Sequence, residues 1–344
     1  MSGASGLRSA KEHARVIQKI VTGYWTARDG VTSEMQDIKF RVGKYGKYYY
    51  TKNGKEKYVR AMPPWMHDMS APPEIMLNYM DWIGVNKAVL LQNHYFGALN
   101  RCFGKYVEKW PDRLIGTAQI DESRAHEEGQ IRRLKKAVKD LKLSALYYQT
   151  YRQEWLDPSG GYDAHDERLY PFWEEVSRLR VPVFFDTGNT RGIEQYLTEL
   201  RKVEGVLQRF PDMVAIICHF GVLMTYARLD VQDRMSLSPS DAFSRTDSVL
   251  ARYPNAHLEM GGLLFGNIEE EYPYPTYQKL VRVAYEQLGA EKLLWGTDMP
   301  PVLMFCTYRQ CLDFVKEHCQ FLSEEEKELV LGENLARIFH LKTG

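Results

Sequence analysis

The 344-residue sequence has no surplus charge of either sign: Lys plus Arg and Asp plus Glu each total 45. Without a basic surplus there is no global argument for a nucleic-acid partner. No window supplies the ~20 apolar residues of a membrane helix, so no membrane association is expected. The amino terminus, MSGASGLRSAKEHARVIQKIV, also lacks the apolar stretch of a signal peptide. Five cysteines, at 102, 218, 306, 311 and 319, are scattered without CxxC spacing. That pattern argues against a zinc knuckle and for reduced thiols in a cytoplasmic setting. No GxGxxG follows the first apolar run, which removes the main support for a dinucleotide-binding sheet.

What is present is a regular alternation. Hydrophobic residues make up 44% and charged residues 26%, ordinary for a globular chain. From residue 86 onward, short apolar runs recur: NKAVLLQN, RLIGTAQID, LSALYYQ, VPVFFDTG, MVAIICHFG, NAHLEMGGL and KLLWGTDMP. Runs this short and continuously apolar predict parallel strands buried on both faces. Amphipathic stretches such as EEGQIRRLKKAVKDL and IEQYLTELRKVEGVLQRF separate them. The pattern predicts an α/β chain of βαβ units with seven identifiable strands. A (β/α)₈ barrel needs an eighth.

One segment interrupts this pattern. Residues 39–60 carry eight Lys or Arg against Glu56 alone, with Asn53-Gly54 between two Tyr-rich runs. Asn-Gly is the strongest short hairpin signal, because both turn positions need positive φ. We therefore expect one barrel-like domain over 1–344 with residues 31–70 as an inserted hairpin. Either a basic flap over an anionic substrate or a solvated insertion fits that composition.

In parallel α/β folds, ligands gather at the carboxyl ends of the strands. The predicted tips hold Asn93 and His94, Asp121, Tyr148 and Gln149, Asp186, His219, Glu259 or the Gly261-Gly262 pair, and Asp298. Three tips, FFDTG, ICHFG and WGTDMP, each join an apolar strand to a ligand-type residue and a glycine. A lone His219 would be weak evidence, since such a histidine is often a satisfied core residue. Three tips of one kind suggest a metal site or an acid–base pair. His165, in the loop after LSALYYQ, is within reach of such a pocket. Cys218 is expected to point away from it by the period-two rule.

These tips, in this order, resemble the amidohydrolase superfamily, and within it the branch of aminocarboxymuconate-semialdehyde decarboxylase-like proteins. WPDRLIGTAQID, ICHFG, LLWGTDMP and the closing LSEEEKELVLGENLARIFHL all look like that branch. The resemblance implies a (β/α)₈ TIM-like barrel with a divalent metal at its mouth. It places Asp298 at the eighth-strand aspartate and His219 at the sixth-strand histidine, as catalytic residues. Asp186 stands where the family has a fifth-strand histidine, and no HxH occurs anywhere in the chain, so the first strand that carries it is missing. The metal set would then be Asp186, His219 and Asp298, holding zinc or, with two carboxylates, manganese or magnesium. Asn93, His94, Tyr148 and His165 are the expected substrate contacts.

The activity implied is metal-assisted hydrolysis or non-oxidative decarboxylation of a small cyclic or aromatic carboxylic acid. Two other readings stay open at this point: a metal-independent lactone hydrolase with Asp298 as general base, and a non-catalytic barrel relic. A seven-stranded barrel leaves two strand edges unpaired, which favours pairing with a second copy in a homo-oligomer.

Overall fold

The computed structural model describes residues 40–341, except 53, 61, 68–69, 94–97, 151–162, 189, 191 and 266–267. It contains two sheets. β1 (Phe40–Val42), β2 (Lys47–Lys52) and β3 (Lys55–Arg60) form an antiparallel three-stranded sheet in the order β1-β2-β3. Lys52 pairs with Lys55 across a two-residue turn, and Gly54 in that turn has φ +72°, a conformation that glycine adopts without strain. The turn's sequence reads as a hairpin; the third strand, β1, has no comparable signal.

The second sheet is parallel and has seven strands: β4 (Ala88–Leu90), β5 (Leu114–Ala118), β6 (Ala145–Gln149), β7 (Val183–Asp186), β8 (Ala215–Ile217), β9 (Ala256–Glu259) and β10 (Leu293–Leu294). Each lies within one of the seven apolar runs, in the order β10-β9-β8-β7-β6-β5-β4. Their side chains alternate between two apolar layers. Leu146, Tyr148, Val183, Phe185, Ala215, Ile217 and Leu258 face the surrounding helices. Ala145, Tyr147, Phe184, Ile216, Cys218 and Leu294 form a separate inner cluster. Burial on both faces is why these strands read as continuous apolar runs.

The outer layer holds the helices down. Trp173, in the helix Tyr170–Leu179, sits 4.8 Å from the Tyr148 ring and 5.8 Å from Phe185. Burying an aromatic side chain of this kind contributes roughly 1.5–3 kcal/mol.

The sheet curls. Flat, its two edge strands would stand ~29 Å apart at the usual strand spacing. Instead, the helix before β4 (Pro73–Ile83) meets the helix after β10 (Tyr308–Lys316), with the Tyr79 and Tyr308 rings 5.8 Å apart. Leu77, Met80 and Leu114 from one end of the sheet share a cluster with Trp295 and Tyr308 from the other. The helical ring thus closes while the strand ladder does not: among the described residues no strand lies between β10 and β4. This is the barrel expected from the sequence, with its first strand unaccounted for.

Candidate active site at the strand tips

Four ionisable groups converge where β7, β8, β9 and β10 end. Asp186 is the last residue of β7 and is buried. Its Oδ2 accepts hydrogen bonds from Tyr147 Oη and Gln149 Nε2, both at 2.8 Å, and its Oδ1 accepts the Gly188 N–H at 2.8 Å. His219 follows β8 in a left-handed turn, with φ +58°, +56° and +54° at His219, Phe220 and Gly221. Two consecutive non-glycine residues there are costly. The turn brings the His219 Nε2 to 3.8 Å from Asp186 Oδ1, with 23% of the imidazole side chain exposed.

A buried carboxylate supports the turn from behind. Asp247 accepts the Val222 N–H at 2.7 Å and the Tyr196 hydroxyl. It lies so close to Gly221 that an added Cβ would come within 2.6 Å of its Oδ2. Burial pushes the Asp247 carboxyl up to about 7.

Glu259, at the end of β9, is the third member. Its Oε2 accepts the His219 N–H at 3.2 Å and its Oε1 the Gly261 N–H at 2.6 Å. An alanine Cβ at Gly296 would fall 1.6 Å from Glu259 Oε1, and one at Gly261 would fall 2.3 Å from it. The glycine of WGTDMP is thus the floor on which a neighbouring strand's carboxylate rests. Burial, reinforced by the Asp298 charge and opposed by His219, pushes Glu259 up to about 7.

Asp298 completes the cluster. It too is left-handed, with φ +54°. Burial raises its pKa, Asp186 adds to the rise, and His219 and Arg228 oppose it. For His219, burial disfavours the cation, but Asp186, Asp298 and Glu259 outweigh burial and the opposing Arg228, so its pKa lies above the ordinary value. One imidazole is therefore shared among three carboxylates, with the Arg228 guanidinium acting from the helix Gly221–Arg228.

The other expected residues fall differently. Tyr148 is wholly buried on the outer layer against Trp173 and Phe172, away from the cluster; its neighbour Tyr147 faces inward and touches Asp186. With both strand faces apolar, the sequence conceals which residue of Tyr-Tyr points in. His165 is exposed and lies over Gly205, where an added Cβ would approach its own Cβ to 2.7 Å. Gly205 is twelve residues along the helix Ile193–Arg209, ~18 Å from its mouth-side start, so His165 belongs to the helical flank. Asn93 stands half-buried just beyond β4, and His94 lies outside the described residues. Cys218 faces inward, contrary to the alternation rule applied through the turn. Burial and the nearby Glu259, Asp186 and Asp298 charges hold its thiol well above the ordinary range, so it is no nucleophile.

The expected three-ligand metal set is not assembled: among the described residues no three His, Cys, Asp or Glu side chains are grouped to hold an ion. The donor chemistry explains this. Asp186 already accepts three hydrogen bonds, and no HxH pair exists to add imidazoles. The residues present do not fit the family's metal seat. Arg228 is the member that the sequence did not single out; Glu259 stood among the predicted tips only as an alternative to the Gly261-Gly262 pair. The Gly261-Gly262 pair and Gly296 carried a signal for Glu259; Arg228, the last of the eight residues in its helix, carried none.

Comparison with known proteins agrees with this architecture. A family model described as amidohydrolase matches residues 49–341. An L-fucono-1,5-lactonase from Burkholderia ambifaria is 28% identical over 109 residues, 30% of this chain and 36% of the lactonase. The chain thus matches little more than a third of that relative's length. An amidohydrolase structure from Burkholderia multivorans with bound HEPES superposes with TM-score 0.62 at 15% identity, covering 81% of this chain and 91% of that one. A dihydroxybenzoic acid decarboxylase from Polaromonas, with bound manganese and 2-nitroresorcinol, gives TM-score 0.56 at 18% identity over 81% and 88% of the two chains. No helix among the described residues is long and apolar enough to cross a membrane.

Proposed function

Because the chain belongs to the amidohydrolase family, we propose that it is a hydrolase or carboxy-lyase acting on a small cyclic or aromatic carboxylic acid or its lactone, with Asp298 and His219 as its acid–base pair. The observation that carries this reading is the single imidazole set among three converging carboxylates. Structural charges are ordinarily neutralised one by one, whereas frustrated titratable groups at a barrel mouth mark chemistry. The lactonase relative and the decarboxylase neighbour both act on small cyclic molecules, which supports the substrate class.

For a lactone the residues serve as follows. Asp298, which burial makes more basic than an ordinary carboxylate, takes a proton from water as the water oxygen attacks the carbonyl carbon. His219, whose cation is favoured by Asp186, Asp298 and Glu259 against burial, donates a hydrogen bond to the carbonyl oxygen as negative charge develops there. The ring C–O bond then breaks and Asp298 returns its proton to the leaving oxygen. Glu259 grips the His219 backbone N–H and acts through it as a positioning residue. Arg228 supplies the positive charge that a substrate carboxylate would seek. In a decarboxylation Asp298 would instead handle the proton that replaces carbon dioxide.

A divalent ion is the family's ordinary helper, and the Polaromonas structure carries manganese. Here the donor set does not match, so no step is assigned to an ion. The test is a panel of small lactones and hydroxybenzoic acids, run before and after exhaustive chelation. Asp298→Asn and His219→Ala should each cut turnover on the accepted substrate by about 10³-fold without lowering Tm. Unchanged turnover in either variant would sink the mechanism. Activity lost on chelation and restored by manganese or zinc would overturn the ion-free reading alone.

A further inference from the structure

Just beyond Asp298, two thiols are held against one another. The sulfurs of Cys306 and Cys311 lie 3.3 Å apart, both side chains buried. The placement follows from the local fold. A short 3₁₀ turn, Pro301–Met304, leads from the Asp298 loop to Cys306. Thr307 then caps the helix Tyr308–Lys316 in a capping box with Gln310, which folds the first helical turn back so that Cys311 meets Cys306. Trp295 Nε1 donates to the Cys311 carbonyl at 3.1 Å and fixes that turn.

Cys306 is also wired to the mouth. Val302 O accepts the Cys306 N–H at 3.1 Å, the Phe305 N–H at 2.9 Å and the Cys306 S–H at 3.7 Å. The Val302 N–H in turn donates to Asp298 O at 3.4 Å. A change at Cys306 therefore reaches the Asp298 backbone through one residue.

We propose that Cys306 and Cys311 form an oxidisable dithiol that closes to a disulfide under a peroxide oxidant and tethers the segment following Asp298 to the first turn of the next helix. The sulfurs need approach by only about 1 Å to reach bonding distance. The Cys306 thiolate attacks one peroxide oxygen; the O–O bond breaks, leaving a sulfenic acid and hydroxide. The Cys311 sulfur then displaces the hydroxyl group from Cys306, and its proton leaves with that group as water. Overall, two thiols lose two electrons and two protons, and one hydrogen peroxide becomes two waters. The hydrogen bond to Cys306, together with burial, raises the Cys311 thiol far above the ordinary range, in keeping with its place as the resolving sulfur. Oxidation that finds a resolving thiol at contact distance stops at the disulfide.

The readout is covalent and does not depend on the proposed reaction. The full chain is treated with hydrogen peroxide, its remaining thiols are alkylated, and it is digested without reductant. The expected result is two fewer alkylated cysteines per chain and a peptide cross-linked between 306 and 311 that has lost two hydrogen atoms. Dithiothreitol should reverse both. Cys306→Ser and Cys311→Ser should each abolish the cross-link, with far-ultraviolet circular dichroism confirming the fold; Cys306→Ala is the second variant if the serine disturbs packing. Sulfinic acid at either residue without a cross-link, or full alkylation of both after Cys102 has been oxidised, would overturn the proposal. Hydrogen exchange should slow at the Val302 and Cys306 amides on oxidation; a cross-link without that protection would overturn the tethering.

Discussion

Two buried carboxylate regions lie within one fold and are treated in opposite ways. On the flank, Glu199 and Lys202 are both nearly inaccessible, at 5% and 3% exposure. Each Glu199 oxygen has its own donor: Lys202 Nζ reaches Oε1 at 2.8 Å, and Thr150 Oγ1 serves Oε2. At the mouth, Asp186, Glu259 and Asp298 share the single imidazole of His219, and burial raises Glu259 and Asp298. A paired buried charge is a structural element, costly to break and indifferent to chemistry. An under-neutralised cluster is poised to exchange protons. The difference lies in the cationic partners: Glu199 has its own lysine, whereas the mouth carboxylates divide the charges of His219 and Arg228.

The comparison breaks most severely if charge removal has the same effect in both regions. Lys202→Ala removes the ammonium that faces the buried Glu199, and should lower stability by about 3–5 kcal/mol while leaving turnover per folded molecule unchanged. Asp298→Asn should do the reverse, relieving repulsion and abolishing turnover. Urea unfolding and single-turnover assays on the two variants check this together. If Asp298→Asn unfolds the chain and Lys202→Ala silences it, the assignment of the two regions is inverted.

A smaller effect tests how the mouth is built. Gly296→Ala puts a methyl group 1.6 Å from Glu259 Oε1, which no rotamer change in the alanine can relieve. Overpacking of this kind costs about 1–3 kcal/mol. Glu259→Ala in the Gly296→Ala background should recover that loss without recovering turnover, because the two residues couple through one clash. Additive losses in the double variant would show that Gly296 is needed for something other than Glu259.

This pair also shows where the sequence was legible. All seven strands of the main sheet were readable because each is a short apolar run. The same double-sided burial hid which of Tyr147 and Tyr148 faces the site, since no polar–apolar alternation marks the inner face. Asp186, His219 and Asp298 were visible as polar residues ending apolar runs. Glu259 was blurred by the adjacent glycines, although those glycines exist to accommodate it. Closure through Tyr79 and Tyr308 joins residues over two hundred positions apart, and no local pattern records such a contact.

A raised carboxyl pKa alone does not mark the mouth, and pH dependence sharpens the point. Asp247, a purely supporting residue, is raised to about 7 by burial. Between the unfolded value near 3.8 and about 7, the unfolded chain releases this proton while the folded chain keeps it. Stability should therefore be highest below that window and fall as pH rises through it, by about 1.4 kcal/mol for each pKa unit. Asp247→Asn should flatten that slope in urea titrations across the window, even though losing an acceptor for the Val222 N–H lowers stability overall. A slope of unchanged steepness would assign the dependence to Glu259 instead.

The smallest effect expected is at His165, where its place in the loop after LSALYYQ pointed to a pocket residue and the fold places it on the helical flank. Its ring is exposed and covers Gly205, which has no side chain to meet it. No hydrogen bond or ion pair to His165 is found among the described residues, so His165→Ala removes only a surface contact. Such changes usually stay within about 0.5 kcal/mol, and kcat and KM should match those of the unmodified chain on any substrate it accepts. A tenfold rise in KM would bring His165 back to the mouth, carried there by a rearranged loop. An unchanged KM would leave substrate recognition to the groups that ring Asp298.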